Sequence, residues 1–207
     1  MKLKTISSAV IILLSLIFSF QARGETAQEV LNKAANKVKA AKGVEVNYSA
    51  TTNGHSISGV LKHAGAKFYV KAGGMETWYN GKALYTHNPS TKETTVVTPS
   101  AGELAEVNPL VYLKSYSTYF TPSFSKNKQT GKYVIDLKSK SRKAPAKKIT
   151  VVINSKTLNP EKFTITSLDG SVTNVSLSKV NYSNSFASSV FDYPKSRFPN
   201  VNIVDLR

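Results

Sequence analysis

The sequence predicts a mainly β fold with α-helices, an α+β chain built on a strongly curved antiparallel sheet. Three observations predict it. Short runs rich in Val, Ile, Tyr, Phe and Thr recur from Val44 to Thr98 and again from Lys132 to Tyr182, many alternating with period two. Turn pairs such as Asn53-Gly54, Asn80-Gly81 and Asp169-Gly170 separate them. One amphipathic helix precedes the first run and a shorter helical patch divides the two. Sequential strands joined by short turns pair antiparallel, and a sheet of this many strands curves strongly.

The elements follow in order. Thr26 and Glu29 have capping-box spacing, and Ala27, Val30, Leu31, Ala34, Val38 and Ala41 repeat on one helical face, so a helix is expected over Thr26–Lys42 with Gly43 as its C-terminal cap. Val44 to Ala50 alternates strictly and reads as a half-buried strand. Further strands are expected at 56–62, 67–70, 77–79 and 83–86, the last two flanking Asn80-Gly81-Lys82. Asn88-Pro89 stops that run because proline has no N–H for the ladder. Thr94 to Thr98 is another strand. Leu104, Val107, Leu110 and Leu113 then take helical spacing with Pro109 inside, giving short helices at 102–106 and 109–119. Tyr112, Tyr116, Tyr119 and Phe120 make that segment aromatic on more than one face. It is either a helix buried in a core or a lid over an apolar cavity. Lys132–Leu137 and Lys148–Asn154 match as a hairpin, and strands are expected at 161–168, 172–177, 179–182, 190–194 and 201–206.

The N-terminus reads as a cleaved secretory leader over residues 1–24. Lys2 and Lys4 precede an apolar run from Ile6 to Phe20, and Ala22 and Gly24 place small residues before the cut. The run is short for a bilayer span of ~20 residues. Residues 25–207 form one expected domain, with neither internal repeats nor a linker. No cysteine is present, so neither disulfides nor thiol lipidation arise. The formal charge is +16, and 25 of the 28 Lys and Arg remain beyond the leader against 12 acids. Such a balance favours anionic partners, among which nucleic acid fits an exported chain worst.

Catalytic patterns are missing. The three histidines, His55, His63 and His87, stand apart, and neither a zinc spacing, a nucleophile elbow, a phosphate loop nor a dinucleotide fingerprint occurs. The expectation is a protein without enzymatic activity, metal or cofactor. The one concentrated charge feature is the docking patch Lys138, Lys140, Arg142, Lys143, Lys147 and Lys148, at the tip of the predicted hairpin. It is either a solvated loop or a surface for an anionic partner.

Taken in order, these segments resemble the outer-membrane lipoprotein carrier (LolA-like) family. The resemblance rests on Gly59-Val60-Leu61 … Lys67-Phe68, Asn80-Gly81-Lys82-Ala83-Leu84-Tyr85 … Asn88-Pro89, Asn108-Pro109-Leu110 and Phe191-Asp192-Tyr193-Pro194 … Val204-Asp205-Leu206-Arg207. It implies an incomplete antiparallel β-barrel with an N-terminal helix and lid helices over an apolar cavity. It implies a monomeric periplasmic chaperone that binds acylated lipoproteins released by an inner-membrane ABC-type complex, and leaves an outer-membrane receptor open. In the family an Arg-Pro pair stands between the glycine and the phenylalanine of the first motif and is linked to holding the lid. Lys62-His63-Ala64-Gly65 holds that place here, so Lys62, His63 or a different latch takes over.

On this reading the cavity face consists of Val46, Tyr48, Leu61, Phe68, Val70, Trp78, Leu84, Ile135, Val151, Ile165 and Leu177, and the lid of Leu110, Leu113 and Tyr116. A one-residue slip in any strand would swap its faces. Three other readings stay open: a periplasmic lipid or glycolipid shuttle or sensor, a basic adaptor domain whose apolar residues simply fill a core, and a periplasmic hydrolase with a dispersed site.

Overall fold

The computed structural model describes residues 24–207, so the expected leader, Gly24 apart, lies outside the described residues. Helix α1 spans Ala27–Ala40 and opens on the expected capping box. Glu29 N–H donates to the Thr26 hydroxyl at 3.2 Å and Thr26 N–H to the Glu29 carboxylate at 2.7 Å. Its apolar stripe is the buried face: Ala27, Val30, Leu31, Ala34 and Val38. Gly43 is not the cap. Ala41 ends the helix in an extended conformation, and Gly43 is small because a side chain there would start 2.6 Å from the Phe186 ring.

Strands β1 (Val44–Thr52), β2 (His55–Ala64), β3 (Lys67–Ala72), β4 (Met75–Tyr79), β5 (Leu84–Asn88) and β6 (Glu93–Val97) form an antiparallel meander. The first turn has Asn53 at φ 50° and Gly54 at φ 80°, the left-handed pair that a two-residue hairpin requires. At the second motif turn the Asn80 side-chain carbonyl accepts from Lys82 and Ala83 N–H, each at 3.0 Å, with Gly81 at φ 96°. The helices α2 (Ala101–Val107) and α3 (Leu110–Tyr119) follow, then β7 (Phe120–Phe124), β8 (Lys132–Ser139), β9 (Lys148–Asn154), β10 (Pro160–Thr166), β11 (Val172–Asn181) and β12 (Asn202–Asp205).

Among the described residues, twelve strands make one sheet in the order β12-β6-β5-β4-β3-β2-β1-β11-β10-β9-β8-β7. This order explains the helices. β6 and β7 lie toward opposite ends of the sheet, and α2 and α3 carry the chain between them. The β8–β9 register is the expected one, Tyr133 opposite Ile153, Ile135 opposite Val151 and Leu137 opposite Ile149.

Four expectations change. Phe120 starts an additional edge strand, β7, directly after the helix, and Pro122 is tolerated there. Residues 172–181 form one strand, with a register shift that pairs Asn47 with Ser178 but Glu45 with Asn181, and Lys179 at φ 50°. Residues 190–194 form no strand: two short 3₁₀ turns, Ser188–Phe191 and Lys195–Arg197, carry the chain over the outer face. β12 therefore reaches β6 by a crossing rather than a hairpin, and it pairs parallel.

Those turns build a second apolar layer on the outer face. Trp78 packs edge-on against Tyr193 at 5.5 Å and Phe198 at 6.0 Å, while Tyr193 stacks on Tyr85 at 5.3 Å. Arg197 clamps Glu76 at 2.7 Å, and the Tyr193 hydroxyl is 3.0 Å from the Thr94 hydroxyl.

Candidate functional site

Register fixes which residues share the concave face. Val46, Tyr48, Ala50 and Thr52 of β1 align with Leu61, Gly59, Ile57 and His55 of β2. Leu61 and His63 continue to Val70 and Phe68, and these to Thr77 and Tyr79. On the other side Tyr48, Ala50 and Thr52 meet Leu177, Val175 and Thr173, and Val175 and Thr173 meet Phe163 and Ile165.

This face has two zones. In one, Val46, Leu61, Phe68, Ile135, Leu137, Ile149, Val151, Ile153 and Phe163 pack with α1 and α3 into one core cluster, each at most 1 % exposed. In the other the side chains are small: Ala50, Thr52, Gly59, Ala72, Thr77, Thr86 and Thr173. At Gly59 a Cβ would lie 2.1 Å from the Lys71 carbonyl oxygen, so β2 and β3 approach too closely there for any side chain. Small residues under a bridging helix leave space. A hollow of about 740 Å³ results, floored by Tyr48, Ala50, Val70, Thr77, Ile165 and Val175 and roofed by Ala105, Val107, Pro109 and Tyr112. That volume lies within the ~300–1,000 Å³ of small-molecule sites.

The wall is mostly uncharged, with apolar side chains mixed with threonine and serine hydroxyls. Burial pushes the Tyr48 phenol up to about 12, and burial with nearby Glu106 does the same for Tyr112, so both stay protonated. Thr52 and Thr173 hydroxyls satisfy each other at 2.7 Å. Glu106 and Asp169 are the acids among the lining residues. At the rim Ile57, Met75 and Leu168 are 39 to 52 % exposed. Among the described residues no group of three or more His, Asp and Glu is placed to hold a metal.

Of the eleven expected cavity residues, Tyr48, Val70 and Ile165 line this hollow. Val46, Leu61, Phe68, Leu84, Ile135, Val151 and Leu177 belong to the solid core cluster instead. Trp78 is on the opposite face, because it pairs with Tyr69 and Tyr85 while Thr77 and Tyr79 point inward. Leu110, Leu113 and Tyr116 are buried in the core, with the Tyr116 hydroxyl donating to Asn32 Oδ1 of α1. The lid surface facing the hollow comes from α2, Pro109 and Tyr112 instead. Large apolar residues fill space, so selecting them found the core. The signal missed was a run of small residues at inward positions beside large ones.

The place of the family's Arg-Pro pair is also resolved. Lys62 is on the outer face, 3.8 Å from Glu45. His63 points inward and is 2 % exposed. Its Nδ1 accepts from Asn108 Nδ2 at 3.3 Å, and Asn108 Oδ1 in turn accepts from Leu110 N–H at 3.0 Å. His63 thus ties β2 to the joint between α2 and α3. Burial, with a smaller push from Lys114, drives its pKa down to about 4. An unfolded histidine titrates near ~6.5. The stability carried by neutral His63 is therefore complete above that value and is lost as pH falls towards 4. Urea melts are expected to show about 2–3 kcal/mol more loss between about pH 7 and about pH 4.5 in the wild type than in His63→Gln.

The six cations of the docking patch separate. Lys138 and Lys148 pair across β8 and β9, and Lys148 is 3.1 Å from Asp136. Lys140 donates to the Ser117 carbonyl at 2.6 Å, at the end of α3. Arg142, Lys143 and Lys147 are exposed, yet Ala144 and Ala146 between them are buried at 1 % and 0 %. The segment is a packed wall rather than a solvated loop.

A sequence profile described as outer membrane lipoprotein carrier protein LolA matches residues 17–189. No curated protein matches the chain in sequence. Among solved structures, an uncharacterized conserved protein from Thermus thermophilus is similar with TM-score 0.59 at 10 % identity, covering 86 % of this chain and 98 % of that one. A protein of a family of unknown function from Desulfovibrio piger gives TM-score 0.50 at 10 % identity, covering 84 % and 99 %. At these identities the likeness is one of fold. A LolA superfamily protein from Nitrosomonas europaea gives 0.46 at 14 % identity over 82 % of this chain and 98 % of that one. The profile match spans most of the sequence, including the β1–β6 meander and both bridging helices that enclose the hollow, and by it the chain belongs to the outer membrane lipoprotein carrier protein LolA family.

Proposed function

We propose that this protein is a periplasmic carrier, without enzymatic activity, that shelters the acyl chains of lipoproteins released from the inner membrane and delivers them to the outer membrane. The observation that carries this reading is the mostly uncharged hollow of about 740 Å³ between the small-residue zone of the sheet and α2. An acyl chain exposed to water costs ~0.8 kcal/mol per CH₂, so a multiply acylated protein needs such a shelter to cross an aqueous space. The adaptor reading, with all apolar residues used up in a filled core, does not account for this hollow.

In this scheme the leader directs export and residues 25–207 act as one monomeric carrier domain. An ABC-type releasing complex supplies the cargo. A lipoprotein with several chains requires α2 to lift, and the hydrogen bond between His63 and Asn108 is the latch that resists lifting. The test is release from spheroplasts. Labelled outer-membrane lipoproteins are chased with and without the purified protein. Soluble lipoprotein bound to it is the expected result, and lipoprotein that stays with the membrane at every carrier concentration contradicts the reading.

A further inference from the structure

A second hollow adjoins the first. It is lined by Ser139, Lys140, Ser141, Arg142, Lys147 and Leu168. Leu168 lines both hollows, and Pro145, within the same loop, lines the apolar one. The loop is held in place. Lys140 N–H donates to the Tyr119 carbonyl at 2.8 Å, Lys147 N–H to Thr166 at 2.9 Å, and Ala144 N–H to Ser141 at 3.2 Å. Ala144 and Ala146 are anchored in the core cluster. The cations are thus presented by a fixed backbone at the mouth of the apolar hollow.

Arg142 and Lys147 make no ion pair among the described residues. Asp169 stands at the same rim, but its Oδ1 already accepts from Ser171 N–H at 2.9 Å and Ser171 Oγ at 2.8 Å. Lys147 Nζ lies 4.0 Å from where a side chain on Gly170 would begin, and its charge adds to the Ser171 hydrogen bonds in holding the Asp169 carboxyl below its ordinary range, so the lysine borders the Asp169-Gly170 turn at this rim. An arginine fork beside a lysine suits the oxygens of a phosphate.

We propose that the two hollows form one amphiphile site: the ligand is an acyl lipid with a phosphate headgroup, its chain under α2 and its phosphate on Arg142 and Lys147. This deepens the carrier reading and rests on it. It makes a free anionic lipid a cargo beside acylated protein, and gives the basic loop a role in selecting it.

The test uses the purified protein with an apolar dye bound. Palmitoyl-lysophosphatidylglycerol, which carries a phosphate, and 1-palmitoylglycerol, which carries none, displace the dye in parallel titrations. The phospholipid is expected to bind about tenfold tighter, and the preference should vanish at roughly 1 M salt. In Arg142→Ala/Lys147→Ala, at two exposed positions, the preference should collapse while the affinity for 1-palmitoylglycerol stays within about twofold of wild type. Equal binding of the two lipids by wild type, or equal weakening of both in the variant, overturns the headgroup site but leaves the acyl site standing. Failure of both lipids to displace the dye overturns the carrier reading itself. Inorganic phosphate alone is expected to leave the phospholipid titration unshifted at the lipid's own concentration, and competition at that level would assign the site to the free ion.

Discussion

Ala50→Trp is expected to weaken acyl-chain binding by roughly fiftyfold while leaving the fold intact. Ala50 is on the floor of the hollow, between Ile57 of β2 and Val175 of β11. An indole there points into space that is empty of protein, so it creates neither a clash with a packed neighbour nor a buried unpaired charge. It does exclude about three methylenes of a bound chain, each worth ~0.8 kcal/mol, which corresponds to that loss of affinity. Fluorescent fatty-acid titration measures it, with the melting temperature as the control. Unchanged affinity in a folded Ala50→Trp protein would mean that chains bind elsewhere.

Trp78→Ala has the opposite signature. Trp78 is 2 % exposed and sits between Tyr69, Tyr193 and Phe198 on the outer face. Deleting such a side chain costs about 3–5 kcal/mol in lost burial and cavity formation. For a chain of this size that lowers the melting temperature by roughly 10–15 °C. The indole never meets the hollow, so acyl affinity measured well below the melt should stay within about twofold of wild type. Had Trp78 faced the cavity, as the sequence suggests, affinity would fall with stability. Thermal denaturation and fatty-acid titration of the one variant separate these outcomes.

Trp78 also shows what sequence conveys here and what it does not. Strand positions were legible because period-two alternation and Asn-Gly turns are local, and the β8–β9 register followed directly from matching Tyr133, Ile135 and Leu137 to Ile149, Val151 and Ile153. Which face a strand turns inward depends on its neighbours. Thr77-Trp78-Tyr79 offers large side chains to both faces, and only the arrival of Tyr193 and Phe198 on the outer side buries the tryptophan there. That arrival needs the C-terminal chain to cross the sheet, a long-range event without a local signature.

The hollow was illegible for a different reason. A cavity is a deficit of atoms, so its floor is written in Ala50, Ala72 and Thr77, residues that a search for greasy surface passes over. The tie between His63 and Asn108 was half legible. The departure at Lys62-His63 drew attention to this segment, but which of the two side chains turns inward depends on strand parity and on the position of Asn108. The basic loop read as one patch of six cations, whereas pairing in β8 and β9 turns Lys138 and Lys148 away and leaves Arg142 and Lys147 at the cavity mouth.

The central claim is that an acyl chain lies between the small-residue zone of the sheet and α2. A palmitate analogue with a photoreactive group at mid-chain tests it most directly, with the labelled residues identified by peptide mass spectrometry. Labelling at Val70, Tyr112 and Ile165, reduced in Ala50→Trp, is the predicted result. Labelling confined to the outer face around Trp78 and Phe198, or labelling unaffected by Ala50→Trp, would contradict it.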